Sequence, residues 1–253
     1  MGNRFAGKVA LVTGGGAGIG RAVAQDLAAQ GAAVVVSGRN REPLEEAVAA
    51  IERAGGDAYA VVADISRPEQ AAGLVEATLI RYGALHVAVN NAGLRAAGGA
   101  VGDFDEAEFA YVLAVNVTGT RLSMRYEIEH MRAAGGGAIV NLSSTIGAHM
   151  AVPGLGAYAA SKAAINALTR TAALECIRDG VRVNAVSPGP VDTAMSLLPG
   201  ETAMARDERL KTQIPIGRVA TTAEVSAAVL WLASDEAGYV VGHDLVLDGG
   251  ASL

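Results

Sequence analysis

Short, nearly continuous apolar runs alternate with amphipathic stretches along the whole chain. The runs occupy 9–12, 33–36, 59–62, 86–89, 138–142, 181–186 and 245–247. A strand covered on both faces reads this way, whereas a half-exposed strand alternates apolar and polar positions. The intervening segments carry helical spacing over 18–30, 41–54, 68–82, about 105–116, 118–134, 157–179 and 222–233. Gly31 and the Gly55-Gly56 pair stop the first two helices, and Pro68 sits near the first position of the third. The pattern predicts an α/β fold with a seven-stranded parallel sheet and helices on both faces. No proline- or serine-rich linker interrupts the series, so 1–253 reads as one domain. Only 194–215 lacks a pattern. It contains Pro199-Gly200 and a mixed charged segment, and is expected to be an irregular substrate loop.

Composition narrows the function. The chain has 253 residues, 51% hydrophobic and 18% charged, which suffices for a large core. No apolar run reaches the roughly 18 residues of a membrane span, and the opening Met1-Gly2-Asn3-Arg4-Phe5 does not read as a signal peptide. A net charge of −6 without a basic run argues against nucleic-acid binding. Cys176 is the single cysteine, which excludes an intrachain disulfide and a thiolate metal cluster; it reads as a buried, inert thiol. The four histidines show no metal-ligand spacing, so no metal site is expected. The expectation is a soluble cytoplasmic protein.

The chemistry is concentrated where strands end. Thr13-Gly14-Gly15-Gly16-Ala17-Gly18-Ile19-Gly20 joins the first strand to the first helix. A dinucleotide pyrophosphate needs close backbone approach and free N–H groups at a helix N-terminus, which this segment offers. Ser37-Gly38-Arg39-Asn40 ends the second strand. It lacks the carboxylate that would bond a ribose 2′-hydroxyl, and Arg39 is either the partner of a 2′-phosphate or a solvated arginine. Asp64 ends the third strand, where it either bonds an adenine amino group or caps the turn before Ser66-Arg67-Pro68. Asn90-Asn91-Ala92-Gly93 follows the fourth strand as a close backbone contact to a cofactor or a simple turn. Asn141-Leu142-Ser143-Ser144 ends the fifth, where a hydroxyl either faces a reacting carbonyl or caps a turn. Tyr158 and Lys162 then lie one helical turn apart in an alanine-rich helix and share a face. A nearby positive charge lowers a phenol's pKa from about 10, which suits it to exchange protons with a carbonyl or an alcohol.

On these motifs, the chain resembles the short-chain dehydrogenase/reductase family from about residue 5 to residue 250. The landmarks are 13–20, 90–93, Asn116, Ser144, Tyr158, Lys162 and Pro188-Gly189-Pro190-Val191-Asp192-Thr193. The resemblance implies a doubly wound Rossmann fold and a catalytic set of Asn116, Ser144, Tyr158 and Lys162. By it, Tyr158 is the acid/base and Ser144 polarises the substrate oxygen. Lys162 holds the nicotinamide ribose and lowers the Tyr158 pKa, and Asn116 anchors a water that links Lys162 to solvent. The implied cofactor contacts are Gly14, Gly16, Ala17, Gly18, Ile19, Arg39, Asp64, Ile65, Asn91, Ala92, Gly93, Tyr158, Lys162, Pro188, Gly189, Val191 and Thr193. Three departures stand out. The Ser144-to-Tyr158 interval is 14 where the family commonly has 13, Ala17 replaces a basic residue of many NADP-dependent members, and Val241-Gly242 replaces Thr-Gly.

The expected function is therefore NADP(H)-dependent interconversion of a secondary alcohol and a ketone, with NAD as the alternative cofactor. A non-catalytic dinucleotide-binding regulator on the same fold is the competing reading. Met150, Val152, Leu155, Met195, Leu197 and Leu198 suggest an apolar pocket for a small carbonyl or alcohol substrate. A fatty-acyl thioester, a cyclic ketone, a sugar and a steroid all remain open. Ala163, Ala164, Ala167, Leu168, Ala172 and Ala173 put apolar surface on more than one face of the 157–179 helix. With the resemblance, this points to a homotetramer.

Overall fold

The alternation of buried strands and amphipathic helices closes into one seven-stranded parallel sheet. A computed structural model describes residues 3–95 and 98–253. The strands are β1 Val9–Thr13, β2 Ala33–Gly38, β3 Asp57–Val62, β4 Val87–Asn90, β5 Gly137–Leu142, β6 Val181–Pro188 and β7 Asp244–Leu247. The helices are α1 Gly18–Ala29, α2 Arg41–Arg53, α3 Pro68–Tyr82, α4 Glu106–Leu113, α5 Thr120–Ala134, α6 Gly156–Cys176, α7 Ala203–Lys211 and α8 Thr222–Ala233. The strand order is β3-β2-β1-β4-β5-β6-β7, with all neighbours parallel. The chain reverses its direction of winding between β1 and β4, so a crevice opens there at the strands' carboxyl ends. Among the described residues, no helix is long and apolar enough to cross a membrane.

Because successive side chains of a strand point to opposite faces, each strand feeds two cores. Ala10, Val12, Val34, Val36, Val87, Val89, Val140 and Leu142 pack with α1, α2 and α8. Leu11, Val35, Ala88, Ile139, Val181 and Val183 pack with α3, α5 and α6. Cys176 is buried in this second core, as the sequence suggested. β7 is the sheet edge expected from its sequence.

Two elements differ from expectation. The stretch 194–215 contains α7, a nine-residue helix capped by Thr202 and ending in Arg209 and Lys211. Its sequence is charged, with few apolar positions to mark a face, so periodicity did not reveal it. The helices expected over 105–116 and 118–134 are joined by a π-helical segment, Ala114–Gly119, that carries Asn116. Such widened turns bring side chains out of the regular helical register.

A buried polar chain ties the carboxyl ends of the central strands. Asn90 Nδ2 donates to Asn141 Oδ1 at 3.0 Å and to Glu127 Oε2 at 2.9 Å. Asn141 Nδ2 in turn donates to Thr169 Oγ1 at 2.9 Å. Glu127 is fully buried, its Oε1 has no partner among the described residues, and burial raises its carboxyl to about 7. An acid whose folded pKa lies above its unfolded value loses native stability as pH rises between the two. Unfolding followed from pH 4.5 to 8 should therefore show wild-type stability falling relative to Glu127→Gln. The loss is of order 3 kcal/mol and complete just above pH 7. Parallel pH profiles for the two proteins would contradict it.

Candidate active site

Four strand ends lie side by side. Thr13 is in register with Ser37 and with Asn90, and Asn90 is in register with Asn141. From this row the chain leaves through the Gly14-to-Gly18 turn, the 91–95 segment and the Ser143-Ser144 pair.

The turn after β1 presents backbone. Gly14 and Gly18 have φ of 65° and 51°, in the region that favours glycine. A β-carbon on Gly20 would lie 2.2 Å from Gly14 O and 2.4 Å from Asn91 Nδ2, so only glycine lets α1 approach this close. Ala17 is the N-cap of α1 and no side chain caps the helix, which leaves first-turn N–H groups of Gly18 and Ile19 facing the crevice mouth. Thr13 Oγ1 accepts from Asn91 N and Ala92 N, both at 3.1 Å, and Asn91 Nδ2 donates to Thr13 O and Gly14 O. The turn and the 91–93 segment are thus one unit. The segment after β6 closes over it. Pro188 ends β6, a β-carbon on Gly189 would lie 2.8 Å from Asp248, and Val191 is buried. A β-carbon on Gly18 would lie 3.3 Å from Thr193 Cγ2.

The adenosine side is more open. Arg39 is exposed, and its guanidinium donates to the Tyr111 hydroxyl. Asp64 Oδ1 accepts from Ser66 N at 2.9 Å and Ser66 Oγ at 2.7 Å, which is the turn-capping arrangement. Those bonds and the Arg39 charge hold its carboxyl below the usual range despite the opposing effect of partial burial. Ile65 is buried against Gly119 of the π-helical segment.

The four expected catalytic residues converge and are all buried. Lys162 Nζ donates to Leu142 O at 2.7 Å and lies 5.6 Å from the centre of the Tyr158 ring. Burial pulls its ammonium down to about 8. Ser144 Oγ accepts from Ile146 N at 3.1 Å, which leaves its own hydrogen for the bond it makes to Tyr158. Asn116 clamps Leu94, donating to its O and accepting from its N at 2.9 Å each, and also donates to Ser161 Oγ at 3.0 Å. A β-carbon on Gly93 would lie 3.2 Å from Asn116 Oδ1 and 3.7 Å from Lys162 Nζ. The Ser144-to-Tyr158 connection begins with a distorted turn, Thr145–Ala148, where Gly147 has φ of 131°. A β-carbon there would lie 2.7 Å from Ala159 O, so glycine allows the loop to lie on α6.

One electrostatic expectation changes. Tyr158 lies above its ordinary pKa because burial outweighs everything else; the Ser144 hydrogen bond and the Arg95 charge pull it back. The Lys162 ammonium, 5.6 Å from the ring centre, spends one hydrogen on Leu142 O.

The bare Gly14-to-Gly18 backbone at an uncapped helix start, the Gly93 approach to Asn116 and Lys162, and the Thr193 contact with Gly18 together fit a nicotinamide dinucleotide. The 194–215 segment covers the other side. Arg209 grips Glu201 through two bonds of 2.7 Å, and Arg206 pairs with Asp192 and Asp207 at 2.8 and 2.7 Å. Arg95, which follows the 90–93 motif directly, donates to Leu197 O at 3.2 Å. Sequence reasoning passed over Arg95, Ser161 and the Thr13 hydroxyl. Only Arg95 had a local signal, a lone cation immediately after a strand-end motif.

Comparison with known proteins agrees with this geometry. A family model described as Enoyl-(Acyl carrier protein) reductase matches residues 14–252. The cis-4-hydroxycyclohexanecarboxylate dehydrogenase of Sinomonas cyclohexanicum is 41% identical over 99% of this chain and 98% of its own. The cyclohexanol dehydrogenase of Acinetobacter sp. (strain SE19) is 39% identical over 98% of this chain and 96% of its own. A solved NAD+-bound xylitol dehydrogenase superposes with a TM-score of 0.92 at 33% identity, covering 98% of this chain and 100% of its own. These relatives are enzymes, which sets aside the regulatory reading. The chain belongs to the short-chain dehydrogenase/reductase family, NAD(P)-dependent oxidoreductases acting on CH–OH groups.

Proposed function

We propose that this protein interconverts a secondary alcohol on an apolar ring and the corresponding ketone, with NADP(H) as cofactor and Tyr158 as acid/base. The observation that carries the reading is the buried Tyr158, Ser144, Lys162 and Asn116 cluster beside the Gly14-to-Gly18 backbone. The bound nicotinamide supplies hydride to the carbonyl carbon in reduction, or receives it from the carbinol carbon in oxidation. Tyr158 handles the proton, its phenol donating to the carbonyl oxygen in reduction and its phenolate taking the alcohol proton in oxidation. Ser144 O–H donates to the same oxygen. Lys162, which gives one hydrogen to Leu142 O, would hold ribose hydroxyls with the others, and Asn116 would anchor the path by which its proton exchanges with solvent.

A ring substrate is favoured over a 3-oxoacyl thioester because both curated relatives carry a cyclohexane ring in their names. Met150, Val152, Leu155, Met195, Leu197 and Leu198 supply apolar walls, and the 194–215 segment is the lid. NADP(H) is favoured because β2 ends in Gly38 and Arg39 without a carboxylate. The residues assigned to the cofactor are those named from the sequence, with Asp64 acting mainly by shaping its turn. We also assign a homotetrameric assembly. Leu174 of α6, Trp231 of α8 and Val241 beside β7 are exposed large hydrophobics on the elements that would pair.

Three outcomes test this reading. Tyr158→Phe should keep the fold and cofactor binding while kcat falls by about 10²- to 10⁴-fold, measured as ring-alcohol oxidation; near-normal turnover would refute the assigned proton transfer. The unmodified protein should prefer NADP+ over NAD+ in kcat/KM, and Arg39→Ala should erode that preference by roughly 10- to 100-fold; an unmodified protein that prefers NAD+ refutes the cofactor assignment. Light scattering at micromolar concentration should give four times the 25.5 kDa chain mass, and a single monomeric species would refute the tetramer.

A further inference from the structure

Arg95 is a cation without an acidic partner at the mouth of the site. Its backbone is well fixed, because Asn116 clamps both main-chain groups of the preceding Leu94. The side chain is half-buried, and its single hydrogen bond among the described residues runs to the carbonyl of Leu197 in the lid. That contact occupies one of five guanidinium N–H groups and neutralises no charge. The lid's acids are already taken. Arg209 holds both oxygens of Glu201, Arg206 holds Asp207 and the Asp192 that precedes the lid, and Lys211 lies 3.7 Å from Glu208. Among the described residues Arg95 makes no ion pair, yet its charge reaches the Tyr158 phenol.

Partial burial strips water from a cation, and an anion recovers that cost best. Any donor could serve as a latch to Leu197 O. A planar fork with free N–H pairs is suited to a carboxylate bound by two parallel bonds. The position also matters, since Arg95 lies between the lid and the proton-transferring residue, where the remote end of a small ring substrate would come.

We infer that Arg95 is a specificity-determining residue that receives a carboxylate carried by the substrate ring, so that the preferred substrates are ring hydroxy acids and keto acids. This rests on the ring-alcohol reading above.

The test compares kcat/KM for cis-4-hydroxycyclohexanecarboxylate and for cyclohexanol in the unmodified protein, Arg95→Lys and Arg95→Ala. Removing the charge acts on Tyr158 with either substrate, and that effect cancels in the ratio of acid to neutral alcohol. The ratio should favour the acid in the unmodified protein and fall by roughly 10- to 100-fold in Arg95→Ala, with Arg95→Lys between. A ratio unchanged within about threefold, with both substrates losing rate together, would make Arg95 a lid latch and overturn the inference. Calorimetric titration with cyclohexanecarboxylate and NADP+ separates the two readings. If no ring alcohol is oxidised, the functional reading fails alone. A Kd weakened at least tenfold in Arg95→Ala then still supports an anion site, and an equal Kd overturns it.

Discussion

The site depends on the parallel register that sets the carboxyl ends of β1, β4 and β5 in one row. Thr13, Asn90 and Asn141 are direct partners across the sheet, and each is the last or nearly last residue of its strand. A slip of one residue would exchange the two faces of a strand and move its exit by about 3.3 Å. Buried polar groups oppose such a slip, since Asn90 would lose both Asn141 and Glu127. Everything with chemical capacity hangs from this row. Asn91 and Ala92 bind the Thr13 hydroxyl, Lys162 reaches back to Leu142 O, and Ser143 Oγ donates to Lys162 O at 3.0 Å.

Burial then sets the chemistry. Lys162 is nearly inaccessible and finds one carbonyl, so its ammonium sits closer to neutrality than a surface lysine's. Tyr158 moves the other way, because removing water penalises the phenolate. A phenol with a raised pKa is a weaker acid that stays protonated near neutrality, and its phenolate forms only as far as neighbouring groups stabilise it. The Ser144 hydroxyl and the Arg95 guanidinium act in the opposite direction and favour phenolate.

The sequence made the layered fold legible because the five inner strands are buried on both faces and glycines stop the first two helices. The strand-end motifs were legible for the same reason, since Gly14, Gly18 and Gly20 occur where only glycine fits. What was hidden lacks a local pattern. The π-helical turn at Ala114–Gly119 widens a helix without interrupting its apolar spacing, and α7 is held by arginine–carboxylate pairs more than by an apolar stripe. Asp64 Oδ1 caps its turn through Ser66 N and Oγ, a local pairing that does not depend on a cofactor. Partners such as Ser161 for Asn116, 45 residues apart, exist only once α6 has docked.

Three arginines around the lid show how one residue type is used differently according to its surroundings. Arg206 is almost wholly buried and has two carboxylates, as a desolvated cation requires. Arg209 is more exposed and takes both oxygens of Glu201, whose carboxyl it holds down at about 2. These pairs order the lid without drawing on any charge that faces the crevice. Arg95 is left with a carbonyl, although acidic residues lie on the same lid. If lid closure were its whole task, pairing with one of those acids would serve it better. Leaving the cation unneutralised keeps a positive potential beside Tyr158 and gives an incoming anion a partner that no protein group competes for. The salt bridges of Arg206 and Arg209 thus leave the Arg95 guanidinium as a separate charge that acts on the Tyr158 phenol.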